Sequence, residues 1–278
     1  MMAQIINRKA MKAETNTILH SAQVAPAAMT VLILSITTVL DVADTITANA
    51  ADGNLVSLFV SILTGLLGMV LSAGFCLYCM AIRRGERAEF LTLFDGFSFA
   101  GKIICLNIVT TIFIGLWSAL FIIPGIVASY RYRFAPYNLY ENPDLSVTEA
   151  IAMSKQQTRG YKSQLLMLDL SYCVWALMAS LPLVIINSAS NIQMVQQLLG
   201  GTTPDIVASI ANLPALTVVL VADIWALLVS IFYLPRFQCT DLGYYEVACQ
   251  TSGVYPNSAR GTSTWNDNDF GSNDSGSW

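Results

Sequence analysis

The stretch IICLNIVTTIFIGLWSALFIIPGIVASYRYRFAPYNLY, residues Ile103 to Tyr140, decides how this chain is threaded. Between Ile103 and Tyr130 it holds no Lys, Arg, Asp or Glu. A helix needs about 20 apolar residues to cross the hydrocarbon of a bilayer, and Ile103–Ile123 supplies them. Pro124-Gly125 then interrupts the run. Proline has no amide hydrogen and glycine accepts positive φ, so the pair reads as a tight turn. The segment Gly125–Tyr140 would run back.

Basic residues outside this stretch give the reason for the return. Arg8, Lys9 and Lys12 open the chain; Arg83, Arg84, Arg87 and Lys102 precede the run; Lys155, Arg159 and Lys162 follow it; Arg236 comes late. The connection Asp41–Asn54 holds Asp41, Asp44 and Asp52 without a Lys or Arg, and Asn187–Asp205 has no basic residue. Lys and Arg mark cytoplasmic loops. One crossing by Ile103–Tyr130 would put Lys155–Lys162 outside; an outward and a returning segment keep every basic cluster on one side.

Further charge-free runs are Thr15–Leu40, Gly53–Ile82, Leu170–Pro204 and Ile206–Ala222. Of the 278 residues, 55% are hydrophobic and 12% charged, with mean hydropathy +0.58 and net charge −4. Soluble domains are about 25% charged. A water-soluble globule, a disordered chain, a collagen, a coiled coil and a nucleic-acid binder are excluded. Strands are not expected, because the runs lack alternation and an open sheet edge cannot face lipid. The expectation is an all-α, polytopic transmembrane helix bundle with six spans and both termini cytoplasmic. The alternative is five apolar segments with a re-entrant hairpin at Pro124-Gly125. Spans are expected near Val24–Val42, Leu55–Ile82, Ile103–Ile123, Gly125–Tyr140, Gln164–Asn187 and Ile206–Leu234. A cleaved leader ending at Ala48-Asn49-Ala50 would be far longer than the usual 15–30 residues.

By domain, 1–23 is a cytoplasmic segment that could form a surface helix, 24–237 the bundle, and 250–278 a polar, disordered tail rich in Ser, Gly, Asn and Asp. Within the bundle, 145–161 is a cytoplasmic amphipathic insert. Ser146-Val147-Thr148-Glu149 matches a capping box and Gly160 is placed to end the helix. Val147, Ala150, Ile151 and Ser154 form its apolar face. Such a helix would either lie on the membrane surface or pack as a connector.

Charges inside apolar runs are expensive and call for partners. Counting 1.5 Å per residue from the cytoplasmic ends puts Asp169 about 8 Å deep, Arg133 about 12 Å, Arg131 about 15 Å and Asp223 about 18 Å. Matching depths suggests the ion pairs Arg133–Asp169 and Arg131–Asp223. Ser57-x-x-x-Ser61-x-x-x-Gly65 and Gly68-x-x-x-Ser72 offer faces for close packing or self-association. Pro182 and Pro214 should bend their helices.

The motifs Leu93-Phe94-Asp95-Gly96-Phe97, Ile123-Pro124-Gly125-Ile126, Tyr130–Tyr137, Glu141-Asn142-Pro143-Asp144-Leu145-Ser146 and Asp169-Leu170-Ser171 together resemble domain-of-unknown-function family 975, uncharacterised bacterial integral membrane proteins. The resemblance runs over about Ile5–Phe237, with its strongest part from Phe94 to Trp175. It implies a bacterial plasma-membrane protein and supplies no catalytic residues.

Chemistry is scarce. His20 is the sole histidine. Cys76-x-x-Cys79 has redox spacing but lies in an apolar run without a second pair, so packing is the expected role. Gly96-Phe97-Ser98-Phe99-Ala100 lacks the strand and final Gly of a nucleophile elbow. An aspartyl dyad from Asp169 and Asp223 is disfavoured by their unequal depths. No cofactor or metal is expected. The first functional expectation is a non-enzymatic accessory or partner-binding bundle; the partners are the lipid bilayer and either another protein or a second copy. A transporter or lipid-handling permease using the Arg and Asp residues is the alternative, and an intramembrane enzyme is the third.

Overall fold

The structure, a computed structural model, describes residues 5–22, 24–50, 55–198 and 215–256. The described residues are helical with no strand. In chain order they form α1 (Arg8–Ser21), α2 (Pro26–Ala50), α3 (Leu55–Arg83), a 3-10 helix (Phe90–Phe99), α4 (Ala100–Leu120), α5 (Ile122–Tyr132), α6 (Ala135–Glu141), α7 (Val147–Gln157), α8 (Lys162–Leu198) and α9 (Ala215–Ser252). Five helical stretches are long and apolar enough to cross a membrane: Pro26–Ala48, Leu55–Arg83, Phe90–Leu120, Lys162–Ile185 and Leu220–Ser252. That is the build of a multi-pass membrane protein. Asp52, Pro214 and the tail from 257 onward, with its aromatics, lie outside the described residues.

Polar contacts gather the helix ends at one pole. Arg83, at the end of α3, is 3% exposed at its side chain. Its Nε and Nη2 donate to Glu246 of α9 at 2.9 and 2.7 Å, Nη1 to the Cys239 carbonyl at 3.0 Å, and Nη2 to Glu14 of α1 at 3.3 Å. Arg84 pairs with Glu141 at the end of α6. Lys102, at the start of α4, donates to the carbonyls of Pro143 and Leu145. The α4 start and the α6 end therefore share a pole, and Ile103–Tyr140 is a hairpin.

The core sits at that pole. Tyr78, Phe134, Leu165, Leu168, Tyr244 and Tyr245 are all fully or almost fully buried there. Away from it the apolar side chains stand open, among them Leu55 and Phe59 of α3 and Val174 and Leu177 of α8. In water such a surface would aggregate; hydrocarbon is its natural solvent. Among the described residues α9 is the longest helix, with 38 residues. At 1.5 Å per residue it spans about 57 Å, nearly twice a bilayer core. Its second half, buried at Cys239, Thr240, Asp241, Leu242 and Tyr245, builds the compact head. The helix does not stop with the apolar run at Leu234: it continues through Pro235 to Ser252. The head keeps the chain docked to Pro256, whose carbonyl accepts from Asn142 at 3.0 Å, beyond the expected start of the tail at 250.

The hairpin turn is not made by Pro124-Gly125. The chain reverses at Phe121, which is extended (φ −156°, ψ 144°), and Pro124 lies in the first turn of α5, where its missing amide costs no hydrogen bond. Gly125 is not among the positive-φ glycines. Its function is close approach: a Cβ there would lie 2.8 Å from Ser118 Cα on α4. The expected single return helix Gly125–Tyr140 is also broken, between α5 and α6. Pro136 denies a donor to the preceding turn. Ser154 of α7 repairs the break, its hydroxyl donating to the Arg131 carbonyl at 2.9 Å and accepting from the Phe134 amide at 3.1 Å.

Gly74 and Gly96 hold the 3-10 helix against α3: a Cβ at Gly74 would lie 2.6 Å from the Leu93 carbonyl carbon, and one at Gly96 2.9 Å from the Val70 oxygen. Gly65 and Gly68, expected at a packing face, have open space beside them. In detergent, Gly125→Ala and Gly74→Ala should each lose about 1–3 kcal/mol of stability by overpacking. Gly65→Ala should be neutral or better. Thermal unfolding of the purified variants checks the order.

Candidate functional site

The buried charge of the returning segment is the centre of the molecule's chemistry. Arg133 sits at the α5–α6 break, its side chain 16% exposed. Nη1 and Nη2 meet Asp169 of α8 at 2.7 and 2.8 Å, a bidentate pair. Nε meets both oxygens of Asp241 of α9 at 3.0 and 3.1 Å. Tyr130 donates to Asp169 at 2.8 Å and Tyr137 to Asp241 at 2.6 Å. Gln238 donates to the Tyr137 hydroxyl at 3.1 Å. Every carboxylate oxygen is held, and four helices are joined through one guanidinium. Asp241 follows Arg236, the residue that ends the last apolar run, so the network lies at the base of the head rather than deep in the layer.

The structure thus brings Arg133 and Asp169 together. It does not bring Arg131 and Asp223 together. Arg131 lies near Lys155 of α7, and burial together with that neighbouring guanidinium pulls the Lys155 ammonium below the usual lysine range. Asp223 sits on the α2 side of α9, beside Thr38 and Asp41, and its Oδ2 has no hydrogen-bond partner. Depth along each helix matched the two residues, but the helices face different neighbours.

Sequence reasoning missed Asp241, Tyr130, Tyr137 and Gln238. The signal for Asp241 was present: one acid among Phe237, Leu242, Tyr244 and Tyr245, past the point where the last helix seemed to end. Beside the network, α8 and α9 enclose a cleft of about 390 Å³ lined by Arg133, Asp169, Tyr172, Cys173, Tyr233 and Phe237, among others.

A second polar cluster fixes the insert. Ser146 and Glu149 form a capping box, with the Glu149 amide donating to Ser146 Oγ at 3.2 Å and Ser146 N to Glu149 Oε2 at 2.8 Å. Those hydrogen bonds hold the Glu149 carboxyl below its ordinary value. Gly160, at φ +84°, turns the chain out of the helix. Ala150, Ile151, Met153, Ser154 and Gln157 are buried, so α7 is a packed connector, not a helix lying free on a membrane surface. Asn138 and Gln157 exchange amide hydrogen bonds at 2.8 Å in both directions, and Gln157 donates to the Val254 carbonyl at 3.2 Å.

His20 is exposed on α1, and Cys76 and Cys79 are buried free thiols on α3. Ser98 donates to the Asp95 carbonyl within the 3-10 helix. Among the described residues no three His, Cys, Asp or Glu converge on a metal position.

A bundle of apolar helices under a polar, ion-paired head is the class of protein this geometry defines. Residues 120–251 match the family described as "Protein of unknown function (DUF975)", the family that the sequence resembles. The match begins at the hairpin tip and ends with α9, so it includes Arg133, Asp169 and Asp241. No curated protein and no solved structure matches the chain.

Arg133→Met should cost about 3–5 kcal/mol, because it strands two carboxylates. Asp169→Asn should cost less, since Asp241 still neutralises the guanidinium. Asp223→Asn should be neutral or stabilising. Thermal unfolding in detergent reads all three, and an Asp223 loss equal to that of Arg133 would contradict the assignment.

Proposed function

We propose that this is a non-enzymatic membrane protein whose bundle carries a rigid cytoplasmic head that binds another protein. One observation carries the reading: all four carboxylate oxygens around the buried guanidinium accept hydrogen bonds from within the network, which suits a lock that shapes a head better than a group awaiting substrate. The proposed setting is the plasma membrane of a bacterium, with both termini in the cytoplasm. The gathering of basic residues at one pole supports that orientation.

For the topology we favour the alternative reading, four full crossings and a hairpin. Helix α5, with 11 residues, is about 16 Å long. The tip residues Leu120, Phe121, Ile122 and Ile123 are apolar and 64–77% exposed, which favours a tip ending in hydrocarbon. Self-association through the α3 face at Gly65 and Gly68 remains part of the proposal, as both have open space beside them. In a cysteine-depleted background, Ile122→Cys should resist a charged maleimide from either side of the membrane, whereas Asp52→Cys, in the acidic connection, should label from outside. Equal labelling from outside would mean six crossings.

The cleft beside Arg133 and Asp169 favours a second reading, a transporter or lipid-handling permease. Cys173 lines it and tests the two. In a locked bundle native Cys173 stays unlabelled by a charged, membrane-impermeant thiol reagent until the membrane is dissolved. Labelling in intact vesicles would overturn the lock in favour of a water-filled path.

A further inference from the structure

Helix α1 sets a stripe of polar residues, Lys9, Lys12, Asn16 and His20, at helical spacing along one side. Its single carboxylate, Glu14, is turned to Arg83. The far end of the stripe faces α9 across a groove of about 240 Å³ lined by Asn16 and His20 of α1, Pro26 at the start of α2, and Phe232, Pro235 and Arg236 of α9, among others, while Lys12, one turn earlier, leans over Ser171 and Tyr172 of α8. Pro26 is where the first apolar span begins, so the groove lies at the level of lipid headgroups.

The cations here differ from those of the head. Arg83, Arg84 and Arg133 all meet carboxylates. Arg8 reaches the Met167 carbonyl at 3.3 Å and Arg236 the Phe232 carbonyl of its own helix at 3.3 Å; Lys12 meets the Ser171 hydroxyl at 2.9 Å and stands 4.2 Å over the Tyr172 ring, the same tyrosine that the Arg236 charge reaches. Among the described residues none of these three is ion-paired. Burial and the charge of Arg8 draw the Lys12 ammonium below its ordinary value, as expected of crowded cations without an anion. From the groove, Phe232, Leu228, Ile224 and Val221 run down α9 as an exposed apolar stripe. Its 11 residues of rise are about 16 Å, the thickness of one leaflet of hydrocarbon.

We propose that α1 and α9 form a binding site for an anionic phospholipid of the surrounding bilayer, its phosphate held by Arg236 at the groove and by Lys12 beside it over Tyr172, and an acyl chain laid along Phe232, Leu228 and Ile224. The unbalanced positive charge selects a lipid with net negative charge over a zwitterionic one of the same chains. This site uses none of the residues of the Arg133 lock, although Tyr172 also borders the cleft beside it, and it stands whichever reading of the bundle holds.

The test uses the full chain, purified in neutral detergent and stripped of lipid, titrated with dioleoylphosphatidylglycerol or dioleoylphosphatidylcholine and read by native mass spectrometry. The native protein should prefer phosphatidylglycerol at least tenfold. Each cation is worth a factor of about five, so Lys12→Gln with Arg236→Gln should weaken that lipid roughly 25-fold and erase the preference. Arg159→Gln, on the exposed turn after α7, should leave it intact. Equal affinity of the native protein for both lipids, or a preference that survives the double substitution, overturns the proposal. Should the double variant fail to fold, Ala27→Trp serves instead. It fills the groove from an exposed position without altering charge and must reduce phosphatidylglycerol binding; unchanged binding overturns the site. Millimolar inorganic phosphate should not match the thermal stabilisation given by phosphatidylglycerol. If it does, the groove binds free anions and the lipid assignment is wrong.

Discussion

A guanidinium packed among helices until its side chain is 16% exposed has lost most of its water, and everything near Arg133 answers that constraint. One carboxylate would neutralise the charge. Two are present, and each accepts one further hydrogen bond from a tyrosine hydroxyl. Because Asp169 and Asp241 come from different helices, meeting the constraint also fixes where α8 and α9 stand relative to the broken returning segment. The break is itself part of the arrangement: Pro136 interrupts the backbone ladder, Ser154 satisfies the freed groups, and Arg133 is presented at the gap.

The same economy appears around Arg83, which draws α1, α3 and α9 together through Glu14, Glu246 and a backbone carbonyl. The two clamps lie at one pole, where the core is densest. Among the described residues the opposite half has few polar cross-links, such as Trp225 to the Met178 carbonyl, and leaves its apolar side chains outward. Rigidity and solvent therefore divide the molecule. The head is held by charge-assisted hydrogen bonds and aromatic packing, including the edge-on contacts of Tyr245 with Phe134 and Tyr137 at 5.5 and 5.4 Å. The spans depend on lipid. A binding reading suits the head because it is preorganised, and the cleft beside Asp169 is what keeps a transport reading in view.

Glycine shows how the two halves differ. Gly74, Gly96 and Gly125 occupy places where backbones come too close for a Cβ, whereas Gly65 and Gly68 face open space. A small-x-x-x-small spacing marks a helix face that can be approached but does not say which face is. The glycines that matter for packing lie in motifs singled out for other reasons, Leu93–Phe97 and Ile123–Ile126.

By itself the sequence determined the solvent, the helical class, the hairpin through Ile103–Tyr140, the cap at Ser146 and Glu149, and the Arg133–Asp169 contact, because each follows from composition, local spacing or the cost of a lone charge in hydrocarbon. It could not determine that α9 outruns the membrane, since a helix needs no apolar run once protein replaces lipid around it. Nor could it pair Asp223 or find Asp241. Depth along a helix is a one-dimensional quantity, while a partner is chosen by the direction a side chain faces, and only the packing of α2, α8 and α9 decides that.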